Sequence, residues 1–176
     1  PLVSAWGKGA VAAMERAHLA GAPLDLTVKD APEDWAARLG GTVLPTGSVR
    51  LRDPGQISAL PGYAEGAWWV QDAAAALPAR VLALQAGEAV LDICAAPGGK
   101  TLQLAARGWQ VTALDISAKR LKLLEENLKR TGLEAEVIAT APLVLKILGA
   151  GGGTGDGASA TAELGRLGRC VAARHL

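Results

Sequence analysis

In LDICAAPGGKTLQL, residues 91–104, an apolar run breaks into Pro97-Gly98-Gly99 and then Lys100-Thr101. A glycine-rich bend between a strand and a helix serves several chemistries, and spacing separates them. A triphosphate loop surrounds phosphates with main-chain N–H groups and requires G-x-x-x-x-G-K-[ST]. Gly99, Lys100 and Thr101 supply its end, but Cys94 stands where the first glycine belongs, and Pro97 has no N–H to offer. The dinucleotide pattern G-x-G-x-x-G fails as well, because Gly98 and Gly99 are adjacent and no third glycine follows in place.

A third use of the same arrangement remains. A glycine turn at the carboxyl end of a first strand lets a ligand approach the backbone, and an acid at the end of the second strand can take two ribose hydroxyls. Asp115 closes WQVTALD in that position. A nucleoside without phosphates fits such a pocket, with S-adenosylmethionine the leading candidate. The same spacing also describes a tight structural turn beside a solvated acid, and spacing alone leaves both readings open.

The elements that must hold these residues follow from periodicity. AVLDIC (89–94), WQVTALD (109–115) and AEVIAT (135–140) are short apolar runs suited to buried strands. Between them, GKTLQLAARG (99–108) and SAKRLKLLEENLKRTG (117–132) read as helices. In the second, Ser117 caps the start, Leu121, Leu124 and Leu128 form one stripe, and Lys129 and Arg130 precede a Gly132 stop. A β-α-β-α-β series with short loops predicts a parallel sheet covered by helices.

Upstream, residues 5–20 and 32–41 read as helices, 24–28 as a strand, and 42–53 as extended around a turn. Residues 54–66 read as loop, and 68–84 as a helix after its first residues, with Pro78 a kink or boundary. The expected organisation is a small α+β unit over 1–66, the first half of the α/β core over 67–141, and a glycine-rich tail over 142–176. Within that tail, 161–174 suggests a short helix and 149–160 a low-complexity loop. Three strands are fewer than a doubly wound sheet needs, so either the tail supplies none and the sheet is unfinished, or the tail reads differently from its local pattern.

Bulk properties exclude several classes. No apolar run reaches the ~20 residues of a membrane span, and the first residues, PLVSAWGKGAV, do not have the pattern of a secretory signal. The lone Met is Met14, which suggests a segment of a longer chain. Two cysteines, Cys94 and Cys170, are too few for a disulfide framework or a four-ligand zinc site, so a cytoplasmic setting is expected. His18 and His175 have no acid or cysteine at ligand spacing, so no metal site is expected. A net charge of +1 gives no bulk attraction to nucleic acid. Trp68 and Trp69 could stack on a base, but packing is the expected role. Lys8, Arg50 and Arg52 could meet phosphates, although solvated charge is the default.

LDICAAPGGKT resembles the first motif of the RsmB/NOP-type family of RNA (cytosine-C5) methyltransferases. The resemblance extends to PLDLTVK (23–29), LPTGSVRL (44–51), LPGYAEGAWWVQDAAAALPARVL (60–82) and VTALDISAKRLKLLEENLKRTGL (111–133), and covers residues 1–139. It implies a Rossmann-like S-adenosylmethionine-dependent methyltransferase core behind a small α+β unit, acting on carbon-5 of cytosine in RNA, ribosomal RNA foremost. It implies that Cys94, Ala95, Ala96, Pro97, Gly98, Gly99 and Lys100 line the methionine and ribose side of the cofactor. It further implies that Asp115 holds the ribose hydroxyls, and that the helix opening at Gly99 aims N–H groups at the cofactor carboxylate. Asp92 either orients the turn or is simply tolerated near a strand end.

That chemistry needs a cysteine thiolate attacking carbon-6, an acid near N3 and a base for the carbon-5 proton. The family carries these groups in later Asp-Ala-Pro-Cys and Thr-Cys motifs, and neither occurs in this sequence. Cys94 belongs to the cofactor turn, Cys170 in LGRCVAA matches neither motif, and no acid stands near Thr140-Ala141 to meet the adenine amine. The departure begins near residue 140, as truncation followed by unrelated residues would produce. A catalytically incomplete fragment is therefore expected, with no assigned catalytic residue. The alternatives are a P-loop nucleotide hydrolase and a non-catalytic module that binds cofactor or RNA.

Overall fold

The computed structural model describes residues 1–19, 21–83, 85, 87–139 and 169–172. Two four-stranded sheets organise them. The first unit contains α1 (Leu2–Leu19), β1 (Leu24–Val28), α2 (Pro32–Leu39), β2 (Thr42–Val43) and β3 (Val49–Leu51), then a 3-10 turn at Ile57–Ala59 and β4 (Trp68–Val70). Its sheet has the order β2-β3-β1-β4, antiparallel throughout. The second unit runs α3 (Ala73–Val81), β5 (Ala89–Ile93), α4 (Gly99–Ala105), β6 (Gln110–Asp115), α5 (Ala118–Thr131), β7 (Glu136–Ala139) and β8 (Arg169–Ala172). Its sheet is parallel, in the order β7-β6-β5-β8. No helix among the described residues is long and apolar enough to cross a membrane.

Three sequence expectations change. Arg169–Ala172 is a strand, where a short helix over 161–174 was expected, and Cys170 pairs with Leu91 of β5. Main-chain groups of Arg169–Ala172 instead find partners in a row along the edge of β5. The parallel sheet thus has four strands among the described residues rather than three. In addition, β4 belongs to the first sheet, which therefore extends past the expected boundary at residue 66. Residues 142–168, and Thr140-Ala141, lie outside the described residues.

Strand alternation makes β4 the joint between two cores, because successive side chains point to opposite faces. Trp68 is fully buried with Leu26, Ala36, Val49 and Leu51 in the first core. Trp69 instead packs with Ala95, Leu102, Leu121, Leu124 and Leu128 in the second. Both indoles are thus packing residues. The Trp69 Nε1 donates to Gln71 Oε1 (3.0 Å) and to the Gly99 carbonyl (3.1 Å), and Gln71 Nε2 donates to Gln103 Oε1 (2.9 Å). This buried amide network ties β4 to α4.

Asp25, 4 % exposed, anchors the start of α3 to the first sheet. Its carboxylate accepts two hydrogen bonds from Arg50, at 2.6 and 2.7 Å, and one from the Ala73 N–H at 3.1 Å. Arg50 is thereby engaged within the fold. The end of α5 meets the first unit at a second point. Arg130 Nη1 donates to the carbonyls of Tyr63 (2.8 Å) and Trp68 (3.1 Å), and its guanidinium lies 4.2 Å from the Tyr63 ring centroid. Lys29 Nζ donates to the Thr131 carbonyl, one of the groups a helix end leaves without an internal partner. Gly66 allows the contact: it has φ +65°, and a Cβ there would lie 2.1 Å from the Arg130 carbonyl oxygen.

Two outcomes follow. Gly66→Ala combines a left-handed conformation with a backbone collision and should lower stability by roughly 2–4 kcal/mol, read from urea unfolding. The hydrogen bond from Arg50 holds the Asp25 carboxyl below its ordinary value, against the opposing effect of burial. Its stabilisation is therefore present above the ordinary aspartate pKa and is lost as pH falls through the lower folded value. Unfolding curves of Asp25→Asn and the parent should converge in acid and separate toward neutrality.

Candidate functional site

The site lies at the carboxyl ends of β5 and β6, where parallel strands present their loops to solvent. Residues 94–98 form a bend that spends its own donors. The Ala95 N–H donates to the Leu114 carbonyl (2.9 Å) and the Gly98 N–H to the Ala95 carbonyl (2.8 Å). The Ala96 N–H donates to Asp115 Oδ2 (3.1 Å). Pro97 has none, so no main-chain N–H from 95 to 98 is free to cradle a phosphate. Cys94 enters the bend with φ +63°, a conformation that costs a non-glycine residue about 1–2 kcal/mol.

The two glycines differ in purpose. Gly98 has φ +110°, and a Cβ there would lie 3.1 Å from Leu124 Cγ, so helix α5 closes over this point. At Gly99 a Cβ would meet Gln71 at an ordinary 3.4 Å. Lys100, although charged, is only 7 % exposed.

Asp115 ends β6 and is 2 % exposed. Besides Ala96, it accepts a hydrogen bond on Oδ1 from the Ser117 N–H (2.9 Å). Ser117 in turn caps α5 by accepting from the Arg120 N–H (3.3 Å). Each carboxylate oxygen has two lone pairs, so each retains one for a further donor. Arg120 bridges the same elements: Nη2 donates to the Ala96 carbonyl and Nη1 lies 3.7 Å from Asp115 Oδ2. Its side chain is 47 % exposed, whereas that of Asp115 is 1 % exposed.

Of the eight residues singled out in the sequence, Cys94 to Gly98 form the bend, Gly99 and Lys100 open helix α4 directly after it, and Asp115 ends the neighbouring strand. Sequence reasoning missed Arg120, whose place one helical turn beyond the Ser117 cap was its only signal. It also left Asp92 undecided. Asp92, 2 % exposed, accepts a 2.6 Å hydrogen bond from Thr101 Oγ1, which is fully buried.

The sequence profile of the family described as 16S rRNA methyltransferase RsmB/F matches residues 79–144. That match covers less than half of the chain, and within it the sequence is similar to the RsmB/F family. The segment contains β5, the bend, α4, β6 and α5, so the RsmB/F match falls on the elements that build the site. The chain is 50% identical over 93 residues to ribosomal RNA small subunit methyltransferase B of Klebsiella pneumoniae, covering 51% of this chain and 21% of that protein. The protein of the same name from Vibrio cholerae is 52% identical over 90 residues, covering 50% and 21%. The chain thus spans about a fifth of the length of these relatives. A solved methyltransferase homologue from Pyrococcus horikoshii superposes with a TM-score of 0.63 at 27% identity, over 82% of this chain and 52% of that one. The α/β fold of the second unit is accordingly the Rossmann-like fold of methyltransferases.

Burial pushes the Asp92 carboxyl above its ordinary value, and the Thr101 hydroxyl and the nearby Lys100 charge offset this only in part. A raised folded value favours the protonated form, so its stabilisation is full below the ordinary pKa and is lost as pH rises through the folded one. Asp92→Asn, which carries no charge at any pH, should gain stability relative to the parent as pH rises from acid to neutral, measured by denaturant unfolding at several pH values.

Proposed function

We propose that this chain carries the cofactor-binding half of an S-adenosylmethionine-dependent methyltransferase that modifies carbon-5 of cytosine in RNA. The observation that carries the reading is the hydrogen bond between the Asp115 carboxylate and the Ala96 N–H. It sets an acid with two unused lone pairs against a bend of the RsmB/F type. In this reading residues Cys94 to Lys100 line the methionine and ribose side, and Asp115 accepts both ribose hydroxyls. Arg120, whose side chain is 47 % exposed, borders the same carboxylate. The cofactor, when bound, supplies an electrophilic methyl group.

Ribosomal RNA is the substrate class suggested by the relatives' names, and the cytoplasm is the matching compartment. The chain itself is proposed to bind without turnover. Of its two cysteines, Cys94 is committed to the bend and Cys170 lies in β8, paired with the middle of β5 rather than in a loop beyond a strand end. The bend argues against the P-loop alternative, because the N–H groups of Ala95, Ala96 and Gly98 already have acceptors in β6 or in the bend itself.

Calorimetric titration with S-adenosylhomocysteine tests the reading. The parent should bind, and Asp115→Ala should bind at least about tenfold more weakly, the loss expected for charge-assisted hydrogen bonds. Absence of heat from a folded parent, or binding of ATP-magnesium in its place, overturns it. Labelled methyl transfer to unmodified ribosomal RNA should give no product, and product would overturn the assignment of an incomplete centre.

A further inference from the structure

We propose that Asp92 and Thr101 form a positioning pair for the cofactor bend, with Asp92 anchoring from strand β5 the first turn of helix α4, which carries no side-chain cap of its own; this rests on the cofactor reading above. Helix α4 opens after Gly98, which has no side chain to accept from the first turn. Helices usually meet that need with Ser, Thr, Asp or Asn at the residue before the first turn. Here a carboxyl outside the helix holds the first turn instead, by accepting from the Thr101 hydroxyl.

Strand alternation places it. Leu91 and Ile93 pack on one face with Leu114, while Val90 packs on the other with Leu104 of α4. Asp92 shares the face of Val90 and so points at the same helix. Its carboxylate receives the Thr101 hydroxyl at 2.6 Å, with the two residues 2 % and 0 % exposed. Water does not compete for a bond buried to that degree, and breaking it leaves a buried carboxyl oxygen without a partner.

The bend is consequently pinned at both ends from neighbouring strands. Asp115 of β6 holds Ala96 near its start, and Asp92 of β5 holds Thr101 near its finish. The five positions from Ala96 to Lys100, all assigned to the cofactor, lie between these pins or on them. A ligand that reads main-chain geometry needs those positions fixed to within a fraction of an ångström. Asp92 touches no ligand in this scheme; it acts through Thr101.

Asp92→Ala, Thr101→Val and Thr101→Ser test the pair in the full chain. Thr101→Val keeps the shape and removes the donor, whereas Thr101→Ser keeps the donor. With circular dichroism confirming the fold, Asp92→Ala and Thr101→Val should each weaken S-adenosylhomocysteine binding about tenfold, and Thr101→Ser should stay within about twofold. Folded Asp92→Ala or Thr101→Val binding as tightly as the parent overturns the pair. If Asp92→Ala does not fold, Thr101→Val decides. If the parent itself does not bind, the cofactor reading fails, and amide exchange over 94–102 decides the pair separately. Faster exchange in Thr101→Val with recovery in Thr101→Ser supports it, and unchanged exchange overturns it.

Discussion

The site depends on one hydrogen bond, from the Ala96 N–H to the carboxylate of Asp115. It joins the loop after one strand to the end of the next, so that two elements adjacent in the sheet become a single surface. The bond is buried, and the same carboxylate also orders the start of α5 through Ser117. One side chain therefore sets the bend, the strand end and the next helix together. Such an arrangement is worth more than its separate contacts, because each fixed group lowers the entropy lost in fixing the others.

Around that centre, buried polar groups serve as fasteners rather than as reactive groups. Asp25 links β1 to β3 and α3, Gln71 and Gln103 link β4 to α4, and Arg130 links α5 to the loop before β4. Each donor–acceptor set spans elements distant in sequence. The desolvation they incur is offset by partners with good geometry, as buried polar groups require. Arg130 Nε is an exception among the described residues, buried without a partner while both of its terminal nitrogens are engaged.

Much of this was legible in the sequence. The apolar runs at 89–94 and 109–115, the Ser117 cap and the leucine stripe of α5 are local signals, and the structure places β5, β6 and α5 within a residue or two of them. The bend was legible because glycine and proline restrict the backbone in recognisable ways. Partners fixed by tertiary contact were not. Nothing local tells that Arg50 pairs with Asp25, or that Trp68 extends a sheet whose other strands lie before residue 52. Strand β8 was missed for the same reason: four residues carry little periodicity, and what defines them is the open edge of β5.

Adjacent indoles facing opposite ways bind the two units together at one strand. Trp68 and Trp69 sit one peptide apart yet lie in separate interiors. Prying the two sheets apart at their junction would wet at least one ring, so hinge-like separation is opposed by the hydrophobic cost of exposing it. The two interiors are consequently expected to melt together, as one cooperative body.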